Sequence, residues 1–300
     1  MMTDKLTRFL FDNHSVRGEI VQLEDSFQQI LAASQYPEII GNLLGELMAA
    51  CSLLTATLKF EGEITLQLQG EGYVKYAVIH GTHNQALKGV ARWDKELTDP
   101  PSEFSKMFEK GFLAITITPK EGERYQGIVA LDKDNLGACL ESYFEQSEQL
   151  PTKVVLFADA GQSRKAGGIL LQIIPTSSET SSAEENPSFQ HLSVLANTLT
   201  SDELLHLSDL DILHRLYHEE EVRLVGEKEV SFRCDCSKAR SAVALRNIDK
   251  VELLNIVEED GAVRMNCQFC HTEYLFDSFD IESIHNDSYD FSDTAKDSKH

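Results

Sequence analysis

Four cysteines after residue 230 are spaced for metal or redox chemistry. Cys234 and Cys236 lie in "SFRCDCSKAR" with one residue between them, and Cys267 and Cys270 lie in "MNCQFCHTEY" with two residues between them. Two close pairs of thiols joined by a longer segment are typical of tetrahedral zinc sites, because each pair chelates and the intervening segment returns the chain to the metal. We therefore expect one zinc ion per chain, bound by these four thiolates.

Four thiolates complete the coordination of zinc and leave no open position for a substrate. The sequence thus predicts a structural or regulatory metal and argues against a zinc hydrolase. Oxidants attack the same thiolates, and their oxidation releases the metal, so the site is also a candidate redox switch.

Two other classes of protein use similar cysteine spacing. A thiol–disulfide oxidoreductase is the main alternative, because Cys267-x-x-Cys270 also occurs there, but that motif normally opens a helix and no such helix is predicted after Cys267. A zinc-ribbon adaptor or transcription factor is disfavoured because the sequence contains no basic patch.

The remaining cysteines and several histidines carry weaker signals. Cys51 and Cys139 lie within apolar helical patterns and are expected in the core. His271 is expected to tolerate a left-handed backbone after the second cysteine pair rather than to bind metal. Solvated faces are expected for the histidines of "LLHLSDLDILHRLYHEE", which are His206, His214 and His218.

Charge and composition exclude several partners. The chain has 49 acidic and 27 basic side chains and a formal net charge of -22, which would repel nucleic acid. We find no uninterrupted apolar run of membrane-spanning length and no signal-peptide pattern at the start of the sequence, and six cysteines are too few for a secreted disulfide scaffold. These features predict a soluble, cytoplasmic protein that binds neither nucleic acid nor membrane and whose thiols are kept reduced.

The region before the cysteines mixes strand and helix patterns. In "EITLQLQG", Ile64, Leu66 and Leu68 alternate with polar residues, as in a half-buried strand. The segments "LAITITPK", "RYQGIVAL", "KVVLFAD" and "GGILLQIIP" predict further strands, whereas "PEIIGNLLGELMAACSLLTATL" and "NLGACLESYFEQSEQLP" predict helices. Because the segments follow no regular βαβ order, we expect an α+β fold.

Composition changes indicate four regions. Residues 1–175 form the predicted α+β core domain, and residues 176–230 form a flexible Ser/Thr/Glu-rich stretch followed by an amphipathic helical linker. In this linker Thr200 and Glu203 predict a capping box. Residues 231–285 form the predicted small zinc-binding domain, and residues 286–300 a disordered acidic tail.

Long stretches of the sequence resemble one family, the redox-regulated holdase chaperones of the thirty-three-kilodalton heat-shock protein family. They include "RFLFDNHSVRGEIVQL", "LLGELMAACSLLTATLKFEGEITLQLQGEG", "QGIVALDKDNLGACLESYFEQSEQLPT", "AGGILLQIIP", "ILHRLYHEEEVRL", "FRCDCSKAR" and "CQFC". The departures are small: Ala239 stands where the family has an acidic residue, and His271 stands where it has glycine.

The resemblance implies a function that is not enzymatic. It implies an ATP-independent holdase that is inactive when reduced and zinc-bound and that protects unfolding client proteins during oxidative stress. It further implies that Cys234, Cys236, Cys267 and Cys270 bind zinc in the reduced form. On oxidation, Cys234 would bond to Cys236 and Cys267 to Cys270, the zinc would be released, and the protein would form a homodimer that binds clients through the core domain.

Overall fold

A computed structural model describes residues 4–97, 99–174, 186–286 and 288–291. The chain divides into two compact units, Met1–Phe232 and Arg233–His300. Three predicted features lie outside the described residues. They are the boundary at Pro175, the Ser/Thr/Glu-rich stretch up to residue 185 and most of the acidic tail.

The first unit contains eleven strands and seven α-helices within its described residues. The strands are β1 (Lys5–Phe11), β2 (Val16–Leu23), β3 (Gly62–Gln69), β4 (Val74–Thr82), β5 (Ala86–Trp93), β6 (Phe112–Pro119), β7 (Tyr125–Ala130), β8 (Thr152–Asp159), β9 (Lys165–Ile173), β10 (Val222–Glu229) and β11 (Ser231–Phe232). The helices are α1 (Asp25–Ala32), α2 (Glu38–Ala56), α3 (Phe104–Phe108), α4 (Leu136–Tyr143), α5 (Pro187–Ala196), α6 (Ser201–His206) and α7 (Asp209–Tyr217). The α+β class predicted from the sequence is confirmed.

The strands form two sheets. One sheet has the order β10-β1-β2-β9-β8, and the other has the order β11-β5-β4-β3-β6-β7. In the second sheet, the predicted alternation of β3 is confirmed, since Ile64, Leu66 and Leu68 are buried. In the first sheet, every residue of β9 after Lys165 is buried, because both faces of the strand are covered: Leu170 belongs to one core and Ile169 to another.

Helix α2 contacts strands of both sheets and supplies more residues of the larger core than any other element. Its length and mean hydropathy of 1.6 would suffice to cross a membrane, but 78% of this apolar window is buried within the protein, so it is a core helix. Pro37, which was predicted at the first helical position, is instead the residue before it, with φ -57° and ψ 149°. Proline has no backbone N–H group, but an N–H at the start of a helix has no carbonyl partner within the helix, so nothing is lost at this position.

The other face of the first sheet is covered by helices α5, α6 and α7. Their buried side chains, which include Leu192, Leu204 and Leu213, pack with residues of the sheet such as Phe9 and Ile20. The predicted capping box is confirmed, because Thr200 accepts a hydrogen bond from the backbone N–H of Glu203 and Glu203 accepts one in return. These short helices owe their stability mainly to this packing.

The second unit is small. It contains α8 (Lys238–Leu245), α9 (Lys250–Asp260), β12 (Val263–Asn266), β13 (Glu273–Phe276) and α10 (Ser278–His285). The helical segment predicted to end at Gly261 does so, with φ 83°, but it is two helices. The core of this unit consists of Ala242, Leu245, Leu253, Val263, Phe276, Ile281 and Ile284. Tyr289 and Phe291, within the segment predicted as a disordered tail, pack against it.

Candidate metal centre

The two cysteine pairs are held by different local structures. Cys234 and Cys236 lie in an irregular segment directly before α8, where Ser237 caps the helix by accepting a hydrogen bond from the backbone N–H of Arg240. Cys267 and Cys270 lie in the turn between β12 and β13. A short hairpin thus presents one pair, and the start of a helix fixes the other.

The second pair forms a tight turn of the kind found in zinc sites. The backbone N–H of His271 donates to the carbonyl of Cys267 at 2.9 Å, and the N–H of Cys267 donates to the carbonyl of Thr272 at 3.0 Å. His271 has φ 58°, as the sequence predicted, so the residue after Cys270 is left-handed. Glycine is favoured in this conformation because it lacks Cβ, and histidine is among the residues that tolerate it.

The four predicted sulfur atoms come together. All four Sγ atoms lie within 4.8 Å of one another, and the four side chains are half-buried. The Sγ atoms of Cys234 and Cys267 are 3.6 Å apart, and those of Cys236 and Cys270 are 3.3 Å apart. Since every pair is close, these distances select no particular disulfide pairing.

Two polar side chains of the hairpin contact the sulfur atoms. The Tyr274 hydroxyl donates a hydrogen bond to Sγ of Cys236 at 3.1 Å, and the Thr272 hydroxyl lies 3.2 Å from Sγ of Cys270. Sequence reasoning missed both residues. Their positions two and four residues after Cys270 were a usable signal, because alternate residues of a strand share a face.

Burial and hydrogen bonding act in opposite directions on the thiols. Burial raises the pKa of Cys234. Burial also acts to raise the pKa of Cys270, but hydrogen bonds with the Thr272 side chain and backbone outweigh it and lower that pKa to about 6. Four thiolates at such short distances repel one another strongly unless a cation lies among them.

The donor set fits a zinc ion. Zinc bound tetrahedrally by thiolates has Zn–S distances of about 2.3 Å, which place the sulfur atoms about 3.8 Å apart. The observed Sγ separations fall around this value. Among the described residues, this is the one group of three or more His, Cys, Asp or Glu side chains whose ligand atoms converge in this way.

The other cysteines are core residues, as predicted. Cys51 and Cys139 are fully buried in the first unit. Burial raises the pKa of Cys51 to about 12 and also raises the pKa of Cys139. Both thiols are therefore poor nucleophiles.

The cysteine pair of the hairpin lacks the setting of an oxidoreductase. Cys267 follows strand β12, and strand β13 follows Cys270, so the pair opens no helix. A thioredoxin-like site uses the N-terminus of a helix to stabilise its reactive thiolate. The structure therefore gives the oxidoreductase alternative no support.

Comparisons with known proteins agree with this architecture. A family model described as "Hsp33 protein" matches residues 4–277. The 33 kDa chaperonin of Pseudoalteromonas atlantica is 56% identical over 286 residues, covering 95% of this chain and 96% of that protein. The 33 kDa chaperonin of Shewanella baltica is 53% identical over 284 residues, with the same coverage of 95% and 96%.

A solved structure shares the fold. The crystal structure of the 33 kDa chaperonin of Thermotoga maritima, a heat shock protein 33 homolog, matches with a TM-score of 0.81 and 22% identity, covering 95% of this chain and 98% of that chain. The match of the family model over nearly the whole chain and the two highly similar relatives confirm the resemblance found in the sequence. The chain therefore belongs to the Hsp33 protein family and is a chaperone.

Proposed function

We propose that this chaperone is an ATP-independent holdase of the cytoplasm that is inactive when reduced and active when oxidised. It catalyses no reaction and binds unfolding client proteins. The convergence of four thiols in a unit with a very small core is the observation that carries this proposal.

Zinc is the metal we propose, with Cys234, Cys236, Cys267 and Cys270 as its ligands. The all-sulfur donor set and the Sγ separations support zinc over magnesium or calcium, which take oxygen ligands. Bound zinc would cross-link the start of α8 to the hairpin of β12 and β13.

The second unit depends on that cross-link for its stability. Seven residues form its buried core among the described residues. Ordering the backbone costs about 1 to 2 kcal/mol per residue, whereas binding of structural zinc contributes on the order of 10 to 16 kcal/mol. Loss of the ligand set would therefore unfold this unit.

Oxidation would remove the ligand set. We propose that it joins Cys234 to Cys236 and Cys267 to Cys270. With peroxide as the oxidant, one thiolate of a pair attacks an oxygen atom to give a sulfenic acid, and the second displaces water to form the disulfide. Each disulfide takes two electrons from sulfur and reduces one peroxide to two water molecules.

The proposed client surface lies beneath helices α5, α6 and α7. The chain runs from α7 through β10 and β11 directly to Cys234, so the helices are connected to the redox site by a short segment. Release of these helices would expose the apolar face of the first sheet, including Phe9, Phe11 and Ile169. The same surface would support the homodimer expected after oxidation. The net charge of -22 would help keep the exposed protein soluble.

One experiment tests the proposal as a whole. Zinc content and suppression of thermal aggregation of a test client are measured on the same sample before and after treatment with peroxide. We expect one zinc per chain and no suppression before oxidation, and zinc loss with strong suppression afterwards. Equal suppression in both states, or suppression gained while zinc is retained, would contradict redox control.

Peptide mapping of the oxidised protein tests the pairing. The expected main species link Cys234 to Cys236 and Cys267 to Cys270. A main species that joins Cys234 to Cys267 would contradict the proposed pairing. The experiment can discriminate between the two pairings, because the Sγ atoms of Cys234 and Cys267 are 3.6 Å apart and are also close enough to react.

A further inference from the structure

Two histidines on helix α7 form an exposed pair. His214 and His218 are four residues apart, and both side chains are exposed. His218 is the residue that ends the helix and keeps helical backbone angles, with φ -63° and ψ -18°. Residues four apart in a helix lie on the same face, so the two imidazoles are neighbours.

The two rings are stacked with their planes close to parallel. Their centroids are 6.1 Å apart and their planes differ by 28°. The His214 ring has no hydrogen-bond or ion-pair partner among the described residues, and His218 has only Glu219, at 3.9 Å. Rotation of exposed side chains about χ angles is easy, so both rings are free to turn a nitrogen toward a common point.

The electrostatic surroundings favour a cation. The one nearby basic side chain on this helix, Arg215, is paired with Glu203 at 2.6 Å. Glu219 adds a carboxylate beside His218. His214 lies in the last turn of α7 and His218 is its C-terminal cap, at the end of the helix where the unpaired carbonyl groups and the helix dipole carry partial negative charge.

We propose that His214 and His218 form a second metal site, distinct from the cysteine cluster, that binds a divalent transition-metal ion which favours imidazole ligands, such as Zn²⁺ or Ni²⁺. Two histidines four residues apart on a helix chelate zinc in known protein sites, because their spacing brings both nitrogens to one ion. Glu219 is available as a third ligand, and water completes the coordination.

Metal binding at this pair stabilises α7. The ion bridges successive turns, so it binds the helical conformation and not the unfolded segment, and the helix gains stability by mass action. Helix α7 covers the apolar face of the first sheet through Ile212, Leu213 and Leu216. A bound ion therefore favours the covered state of that face.

The test uses the reduced full-length protein with its cysteine site already filled with zinc, and Ni²⁺ as the probe. Calorimetric titration should detect one bound Ni²⁺, with zinc retained by elemental analysis. His218→Gln and His214→Gln should each weaken Ni²⁺ binding by at least about tenfold, since one imidazole cannot chelate. His206→Gln is the matched control, an exposed histidine on α6 whose replacement should leave binding unchanged.

Hydrogen exchange provides the second measurement. Ni²⁺ should slow exchange in residues 209–218 of the unsubstituted protein and of His206→Gln, but not of His218→Gln. The proposal is overturned if the unsubstituted protein binds no Ni²⁺, if His218→Gln binds it equally well, or if Ni²⁺ binds without slowing exchange in α7. Displacement of zinc by Ni²⁺ to the same extent in all three proteins would also overturn it, because the ion would then occupy the cysteines.

Discussion

Cys51 and Cys270 illustrate how strongly the surroundings of a thiol change its pKa. Cys51 is fully buried on α2, and burial raises its pKa to about 12. Cys270 is half-buried among three other sulfur atoms, and hydrogen bonds with Thr272 overcome burial and lower its pKa to about 6. Of these two thiols, only Cys270 supplies a thiolate at neutral pH for metal binding or oxidation.

This contrast gives a direct prediction for single substitutions. Cys267→Ser should remove most of the bound zinc, because three thiolates and a hydroxyl no longer match the all-sulfur tetrahedron. Cys51→Ser should retain one zinc per chain, since this thiol lies in the core of the first unit. Zinc content of the purified reduced proteins is the measurement, and equal retention in both variants would rule out the assigned ligands.

A buried carboxyl on β2 predicts how stability changes with pH. Glu19 is 2% exposed, and one of its carboxyl oxygens has no hydrogen-bond partner. Burial raises its pKa to about 7, although Arg17 and Arg8 act in the opposite direction. The folded state therefore holds this proton more tightly than the unfolded state does, and stability falls as the pH rises from about 4.5 to about 7.

Glu19→Gln should remove the loss of folding stability that ionisation of the buried carboxyl causes. The variant should be more stable than the unsubstituted protein above pH 7, by on the order of 1 to 3 kcal/mol, and the difference should shrink towards zero near pH 4.5. Urea unfolding at several pH values measures it. Part of the pH dependence should remain, because burial also raises the pKa of Glu46 to about 7.

The exposed Glu63 on β3 is the control for this series. Glu63→Gln should shift stability little at any pH, since its carboxyl is solvated. A Glu19→Gln variant that is less stable than the unsubstituted protein at high pH would show that the ionised carboxylate is stabilised by the two arginines instead.

At the scale of elements, helix α7 is anchored at its start as well as along its apolar face. The Asp209 carboxylate accepts a hydrogen bond from the Thr7 hydroxyl at 2.5 Å and forms an ion pair with the Lys5 ammonium group at 2.9 Å. Asp209 is buried, with 5% of its surface exposed. Both partners lie on β1. A buried polar contact of this kind fixes the position of the helix on the sheet, which apolar packing alone specifies less sharply.

Asp209→Asn should loosen this anchor. The amide cannot pair with Lys5 as a carboxylate does, so docking of α7 should weaken by about 1 to 3 kcal/mol. Hydrogen exchange in residues 209–217 should then become faster in the reduced protein, and holdase activity should appear before oxidation. Asp202→Asn, at a side chain that is 92% exposed, should change neither. Unchanged exchange in Asp209→Asn would show that apolar packing holds the helix.

Elements whose pattern is local were predictable from the sequence. The alternation in β3 and the capping box at Thr200 each depend on residues within one element. The hairpin of β1 and β2 was not predicted as strands, and the helix containing Cys139 was predicted to run on to Pro151. It changes instead to a π-helix at Phe144–Glu148, after which Gln149 has φ 52°.

At the scale of the molecule, the two units differ in what keeps them folded. The first unit has two extensive cores that contain no residue of the metal centre. The second has a single small one. Stability of the first should therefore be independent of metal, and stability of the second should depend on it.

Separate expression of residues 1–232 and 233–300 tests this difference. We expect the first fragment to unfold cooperatively with the same midpoint with and without a chelator. The second should lose its helical circular dichroism when the chelator is added, because its core cannot offset the entropy of ordering the chain. A second fragment that stays folded without metal would remove the basis for coupling oxidation to unfolding.

The sequence predicted the convergence of the four cysteines better than it predicted the tertiary arrangement of the strands. The spacing of Cys234, Cys236, Cys267 and Cys270 is a chelation pattern that can be read without any knowledge of the fold. Sheet order could not be read in this way: β11 pairs with β5, whose residues precede it by more than a hundred positions. Such long-range pairing depends on the packing of the whole unit and not on a local pattern.

Along the chain, helices α5, α6 and α7 follow strand β9 and precede strand β10. Both of these strands belong to the first sheet, so the helical segment is attached to that sheet at each end. If the helices detach while the sheet persists, they remain tethered at both ends and cannot diffuse away from the face they covered. Re-covering is then an intramolecular loop closure, favoured by a high effective concentration. The rate of re-covering should be first order and independent of protein concentration. A bound client therefore competes for the sheet face with helices α5, α6 and α7 of the same chain.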